Sequence, residues 1–192
     1  MFTKQKILIT PEQYINQERA SHFKSEYLNG EIYAMAGSSR EHNQIASNIV
    51  IELGGKLRNS PCSIYFSDMK VKIAAIKKYT YPDIIISCDQ QLFEDNDNDI
   101  LLNPIVIIEI LSDSTEAYDR GLKFFHYRLI DSFKEYILVS QKFCQVEHFL
   151  RQENNQWIYS AFHTMTDNLM IHSFNCILSL QEIYRRVALQ ID

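Results

Sequence analysis

At 192 residues the chain carries enough material for one domain with a substantial core, and too little for two comfortable ones. Its 46% hydrophobic and 12% aromatic content, with five glycines and four prolines, excludes a flexible or low-complexity protein. A formal charge of −5 counts against a broadly basic nucleic-acid-binding surface, so contact with a polyanion needs a local basic patch or a bound cation. Cys62, Cys88, Cys144 and Cys176 are scattered without a C-x-x-C pair, which speaks against a zinc site and a disulfide framework and for a reducing, cytoplasmic setting. The N-terminus lacks the long apolar region of a secretory signal, and no apolar run approaches the ~20 residues that span a bilayer. No membrane partner is expected.

Thr10-Pro11-Glu12-Gln13 combines a capping threonine, a first-turn proline and a glutamine three after the cap, predicting a helix to about residue 19. Residues 26–35 read as two short strands about Asn29-Gly30, a hairpin signal. Ser38-Ser39-Arg40-Glu41 is a second capping box, followed by Ile45, Ile49, Leu53 and Leu57 at helical spacing, a helix stopping near Gly54-Gly55 or Arg58. Residues 63–73 alternate as one strand, with Asp68, Lys70 and Lys72 opposite Met69, Val71 and Ile73. The acidic loop of Asp95, Asp97 and Asp99 reads as a solvated loop, because the glycine and glutamate of a calcium-binding loop are replaced by Ile100 and Val106. Beyond it, a helix is expected from about Leu122 to Ile130, with Leu122, Phe125 and Leu129 on one face and Lys123 in a first turn that disfavours cations. Strands follow at 135–139, 145–151, 157–163 and around Ile171, a mostly antiparallel meander, and a third capping box at Ser179 opens a final helix carrying Ile183, Val187 and Leu189.

Two acids stand out against this background. In Pro104-Ile105-Val106-Ile107-Ile108-Glu109-Ile110-Leu111-Ser112 a carboxylate interrupts a strand apolar on both faces, with Ile105, Ile107, Glu109 and Leu111 on one side. Burying an ionised carboxylate is strongly unfavourable unless a cation or donors compensate it. In Tyr81-Pro82-Asp83-Ile84-Ile85-Ile86 a second acid stands at the mouth of another aliphatic strand. Two acids on two buried strands suit a hard divalent cation such as Mg²⁺. Pairing of Glu109 with a cation such as Arg120, and Asp83 as a plain strand cap, remain open beside that reading. The histidines lack zinc-ligand spacing, the serines lack a neighbouring base, and no glycine-rich phosphate loop is present.

The chain resembles the Uma2 family of restriction-endonuclease-like proteins, within the PD-(D/E)XK superfamily. The matching pieces are Glu26-Tyr27-Leu28-Asn29-Gly30-Glu31, Glu41-His42, Ser67-Asp68-Met69-Lys70-Val71, Tyr81-Pro82-Asp83, the Glu109 strand, Asp119-Arg120-Gly121-Leu122-Lys123 and Glu135-Tyr136-Ile137-Leu138-Val139. The resemblance implies a single α/β domain with a mixed central sheet flanked by helices, to which the C-terminal strands add an antiparallel extension. It also implies an endonuclease cutting DNA with Mg²⁺, or Mn²⁺, held by Asp83 and Glu109. The superfamily's lysine two residues beyond the glutamate is replaced by Leu111, and the resemblance implies that Lys123 supplies it from the following helix. Glu26 is implied as a third carboxylate, a metal ligand or a base acting through water, and His42 as a phosphate contact. A homodimer suits the cutting of two antiparallel strands. The rival expectation is a catalytically degenerate nucleic-acid-binding or regulatory module of the same fold.

Overall fold

The computed structural model describes residues 8–190. The first helix, α1 (Pro11–Ala20), opens with the expected reciprocal box: Gln13 N–H donates to the Thr10 side chain and Thr10 N–H to the Gln13 side chain. Asn29 and Gly30 take φ of 45° and 101°, the left-handed pair that a two-residue hairpin turn requires, and join β1 (Ser25–Leu28) to β2 (Glu31–Ala34). α2 (Arg40–Leu57) is capped by Ser39 rather than Ser38, which puts His42 instead of Glu41 at the third helical position. This helix continues through Gly54 and Gly55, because Ile49, Leu53 and Leu57 on either side of them are buried against the sheet.

The stretch 63–73 is two strands, not one. Ser67 sits at φ 62° and breaks it into β3 (Cys62–Phe66) and β4 (Lys70–Ile73), which belong to different sheets. Then come β5 (Lys78–Thr80), β6 (Ile84–Cys88), the short β7 (Ile100–Leu101) and β8 (Val106–Leu111). One six-stranded sheet has the order β3-β6-β8, continued by β9 (Glu135–Ser140), β10 (Val146–Arg151) and β11 (Trp157–Phe162), with only β8 and β9 parallel. The other sheet runs β2-β1-β5-β4-β7, and β12 (Asn168–Ile171) pairs with β13 (Cys176–Ser179), a strand the sequence pattern did not reveal.

Between β8 and β9 the chain forms α3 (Glu116–Tyr118), a π-helical turn (Asp119–Lys123) and α4 (Phe124–Tyr127). Helical backbone therefore begins six residues earlier than expected, and Lys123 lies inside it rather than in a first turn. Leu122, Phe125 and Leu129 are exposed, while the face turned inward carries Asp119, Lys123, His126 and Tyr127. The apolar stripe in the sequence marks the outer face. The final helix α5 (Leu180–Ile183) is one turn with no side-chain cap from Ser179, so Val187 and Leu189 lie beyond it.

β8 divides the core as period two requires. Val106, Ile108 and Ile110 pack with Ile45, Ile49 and Leu53 of α2, while Ile107 and Leu111 pack with Tyr127, Phe133 and Tyr136. Ile105, expected with Ile107, precedes the strand and packs with the α2 cluster instead. The acids of the 95–99 loop are neutralised by protein: the Arg19 guanidinium lies 2.8, 2.7 and 2.6 Å from Asp95, Asp97 and Asp99.

The cysteines correct the sequence reading. Antiparallel pairing of β3 with β6 sets Cys62 opposite Cys88, and the two form a disulfide, leaving Cys144 and Cys176 free. Spacing along the chain could not disclose this, since strand register brings the two together. The inference from scattered cysteines to a reducing compartment loses its footing. Thiol titration in denaturant without reductant is expected to count two reactive cysteines; a count of four would refute the link. Among the described residues no helix is long and apolar enough to cross a membrane.

Candidate active site

Glu109 projects from β8 into the interior at 2% exposure, on the side of Tyr127 and Tyr136. Lys123 Nζ stands 2.8 Å from Glu109 Oε1, and the Tyr127 hydroxyl donates to the same oxygen at 2.8 Å. Arg120, the alternative partner, is elsewhere, paired with Glu116 and Glu147. The π-helical turn matters here because it presents Asp119 and Lys123 on the inward face, with Asp119 Oδ1 3.4 Å from Lys123 Nζ. Glu26 of β1 reaches the same ammonium at 4.0 Å. Three carboxylates thus surround one buried lysine.

Asp83 sits where the β6–β8 ladder ends. Ile84 pairs with Ile108, and continuing the register sets Pro82, which has no N–H, opposite Ile110. The ladder does not continue to that pair, and the Asp83 carboxylate serves as the acceptor there: Ile110 N–H donates to its Oδ2 at 2.7 Å, while His42 Nε2 lies 3.0 Å from Oδ1. Hence the expected strand cap and the expected site acid are one residue. His42, from the first turn of α2, contacts Asp83 and has an Nδ1 without a hydrogen-bond partner among the described residues.

Nothing in the sequence pattern singles out Lys78. This lysine of β5 is 1% exposed, lies 3.5 Å from Glu26 and donates to the Tyr118 hydroxyl, while Thr80 donates to Glu26 Oε1. Direct pairing of Leu28 with Lys78 puts the Lys78 side chain on the sheet face that carries Glu26. That signal exists only once β1 and β5 are known to be neighbours. Asp119 and Tyr127 were also missed, for they read as ordinary helix residues.

The electrostatics follow from burial. Burial pushes the Glu109 carboxyl up and the Asp83 and Asp119 carboxylates add to it, so that despite Lys123 its pKa is raised to about 8. Burial pushes the Lys123 ammonium down, but Glu109, Glu26 and Asp119 overcome it and hold it well above its ordinary value. Glu26 is pushed up by burial and drawn below its usual value by Lys123, Lys78 and the Thr80 hydroxyl. Lys123 therefore stays charged and Glu26 ionised, whereas Glu109 resists ionisation until more positive charge arrives.

A mixed sheet with helices on its flanks, whose neighbouring strands deliver Asp83 and Glu109 beside a buried lysine, is the restriction-endonuclease-like fold. The crystal structure titled a "putative nuclease belonging to DUF820" from Anabaena variabilis superposes with a TM-score of 0.75 at 17% identity, covering 92% of this chain and 97% of that one. The family model described as "Uma2: Putative restriction endonuclease" matches residues 11–181, and the chain belongs to the Uma2 family. Two uncharacterized proteins of Synechocystis sp. are similar as well. One is 31% identical over 180 residues, 94% of this chain and 93% of the relative; the other is 34% identical over 151 residues, 79% and 85%. The family's description points to a nuclease, and the structural neighbour shows the shared fold.

Proposed function

We propose that the protein is a Mg²⁺-dependent endonuclease hydrolysing phosphodiester bonds in DNA, with Asp83 and Glu109 as metal ligands and Mn²⁺ as an alternative ion. The observation that carries this reading is the 2.8 Å approach of Lys123 to Glu109, which returns to the site the cation that Leu111 removes from the strand. Among the described residues no three His, Cys, Asp or Glu side chains form a metal-holding group. Two carboxylates, with water and a substrate phosphate filling the remaining positions, suit Mg²⁺, which seldom takes an all-protein cage. The reluctance of Glu109 to ionise alone fits the same assignment.

When bound, a divalent ion there would polarise the scissile phosphate and lower the pKa of a coordinated water. The chain's own residues do the rest. The Ile110 N–H fixes the Asp83 carboxylate through Oδ2, and His42 Nε2 lies against Oδ1. Lys123, charged and shielded from solvent, places positive charge where negative charge develops on the phosphoryl oxygens. Glu26, held ionised between Lys78 and Lys123, is too weak a base to take a proton readily and instead orients the attacking water.

The test is incubation of the purified protein with plasmid and short duplexes in Mg²⁺, Mn²⁺ or EDTA. Metal-dependent cutting that disappears in Asp83→Ala and Glu109→Ala is expected, whereas cutting that survives in both variants removes the assignment. Salt-sensitive binding with no cut in either metal would favour the degenerate binding module instead. A two-fold homodimer would present two such sites to antiparallel strands, and light scattering with and without duplex measures it.

A further inference from the structure

The three carboxylates around Lys123 are not equivalent acceptors. Glu109 Oε1 holds the lysine Nζ at 2.8 Å and also accepts from the Tyr127 hydroxyl. Glu26, at 4.0 Å, is already occupied: its Oε1 accepts from Thr80, while its Oε2 accepts from the Tyr118 hydroxyl at 3.4 Å and faces Lys78 at 3.5 Å. Asp119 is different. Its Oδ1 lies 3.4 Å from the same Nζ, yet it is buried and has no hydrogen-bond partner among the described residues. A buried carboxylate oxygen without a donor is costly, and this one stands beside an ammonium that is engaged elsewhere.

The segment is built so that the lysine can reach it. Asp119 and Lys123 stand four residues apart on the π-helical turn, with both side chains turned inward. The Tyr136 hydroxyl of β9 donates to the Asp119 carbonyl at 3.1 Å and pins the backbone of the turn to the sheet. The ammonium can therefore pass from Glu109 to Asp119 by rotation about the lysine's own side-chain bonds, while the chain stays in place. Chemistry at the site calls for such a transfer. Two cations close to one buried carboxylate repel strongly, since little water screens them. Once Glu109 serves a divalent ion, the ammonium needs another acceptor, for a buried charge without a partner is strongly unfavourable.

We propose that Asp119 is a positioning residue, the seat that receives the Lys123 ammonium when Glu109 is committed to a divalent cation. The inference rests on the nuclease reading for the cation, but it is read without cleavage. Seated there, the lysine spends one N–H donor on Asp119 and keeps two for phosphoryl oxygens. Crystal structures of the full chain with and without Mg²⁺, DNA absent, test it directly. In the loaded form Nζ is expected at about 2.9 Å from Asp119 Oδ1 and more than about 3.5 Å from Glu109. In solution, calorimetry is expected to show Asp119→Asn weakening Mg²⁺ binding about tenfold in the wild-type background and less than about twofold in Lys123→Met, which has no ammonium to reseat. A carboxylate acting only through its own field on the cation would weaken binding equally in both backgrounds, and that result would overturn the proposal. If Lys123→Met does not fold, the loaded crystal decides: a lysine still on Glu109 beside bound Mg²⁺ overturns it. Absence of Mg²⁺ binding by wild type would remove the metal assignment and the seat with it. A reseated lysine in a Mg²⁺-loaded protein that cuts no DNA would support the seat and remove the nuclease reading instead.

Discussion

Lys123→Met lowers the stability of the metal-free protein by about 3–5 kcal/mol, because it strips the cation from buried carboxylates that cannot reach water. Glu109 at 2.8 Å, Asp119 at 3.4 Å and Glu26 at 4.0 Å all lean on that one ammonium. Urea denaturation reads the loss as a lower midpoint at unchanged slope. Adding Glu26→Gln to the same protein recovers part of it, since Glu26 is the carboxylate that Lys123 helps to hold ionised and the neutral amide no longer needs a counter-charge. A single-variant loss below about 1 kcal/mol, the range of exposed ion pairs, would show that the lysine is not structurally required. On the proposed assignment the same change lowers cleavage by at least about 100-fold, the effect of removing one preorganised group from a transition state. Lys123→Arg separates the two roles. It keeps the charge and much of the stability, but the larger planar group does not fit a site built around a point charge.

Raising the pH destabilises the metal-free protein and tightens its hold on a divalent cation. Burial lifts the Glu109 pKa from an ordinary 4.5 to about 8, so between those values the folded state binds more protons than the unfolded one. Stability then falls as pH rises through that window, by up to about 1.4 kcal/mol per unit from this group alone. Below about pH 4.5 the pH dependence vanishes and the stability is fully retained, because both states are protonated. A metal ligand must give up its proton, so Mg²⁺ affinity is expected to climb up to tenfold per pH unit toward pH 8 and to level above it. Calorimetry at pH 6.0, 7.0, 8.0 and 9.0, in buffers of different ionisation heat, measures both the affinity and the proton released. Glu109→Gln should abolish the proton release and flatten the stability profile. A pH-independent Mg²⁺ affinity would exclude Glu109 as the titrating ligand.

Local chemistry made much of the chain legible. The capping box at Thr10, the Asn29-Gly30 turn and the alternation through β8 each involve residues close in sequence, so the physics is complete within a short window. Misreadings arose where a local pattern competed with packing. Of the two stops that the sequence offered for α2, Gly54-Gly55 and Arg58, burial of the helix against the sheet selects Arg58. Alternation from residue 63 to 73 suggested one strand, but the left-handed turn at Ser67 sends its halves to different sheets. Leu122, Phe125 and Leu129 suggested a core face, yet the interior prefers the face whose charges find partners.

By itself, the sequence determined that Glu109 would lie within an aliphatic strand and that Asp83 would open another, because a period of two and flanking prolines are local properties. The tertiary structure alone decided what surrounds them. The register of β6 on β8 turns Asp83 toward the Ile110 N–H, and the π-helical turn swings Lys123 onto Glu109. Pairing of β1 with β5 brings Lys78 to Glu26, and pairing of β3 with β6 joins Cys62 to Cys88. Each of these contacts spans a turn of helix or a strand crossing. The hydrogen bonds and ion pairs among them draw their strength from the removal of water and the disulfide needs the strand register, neither of which a stretch of sequence read alone can show.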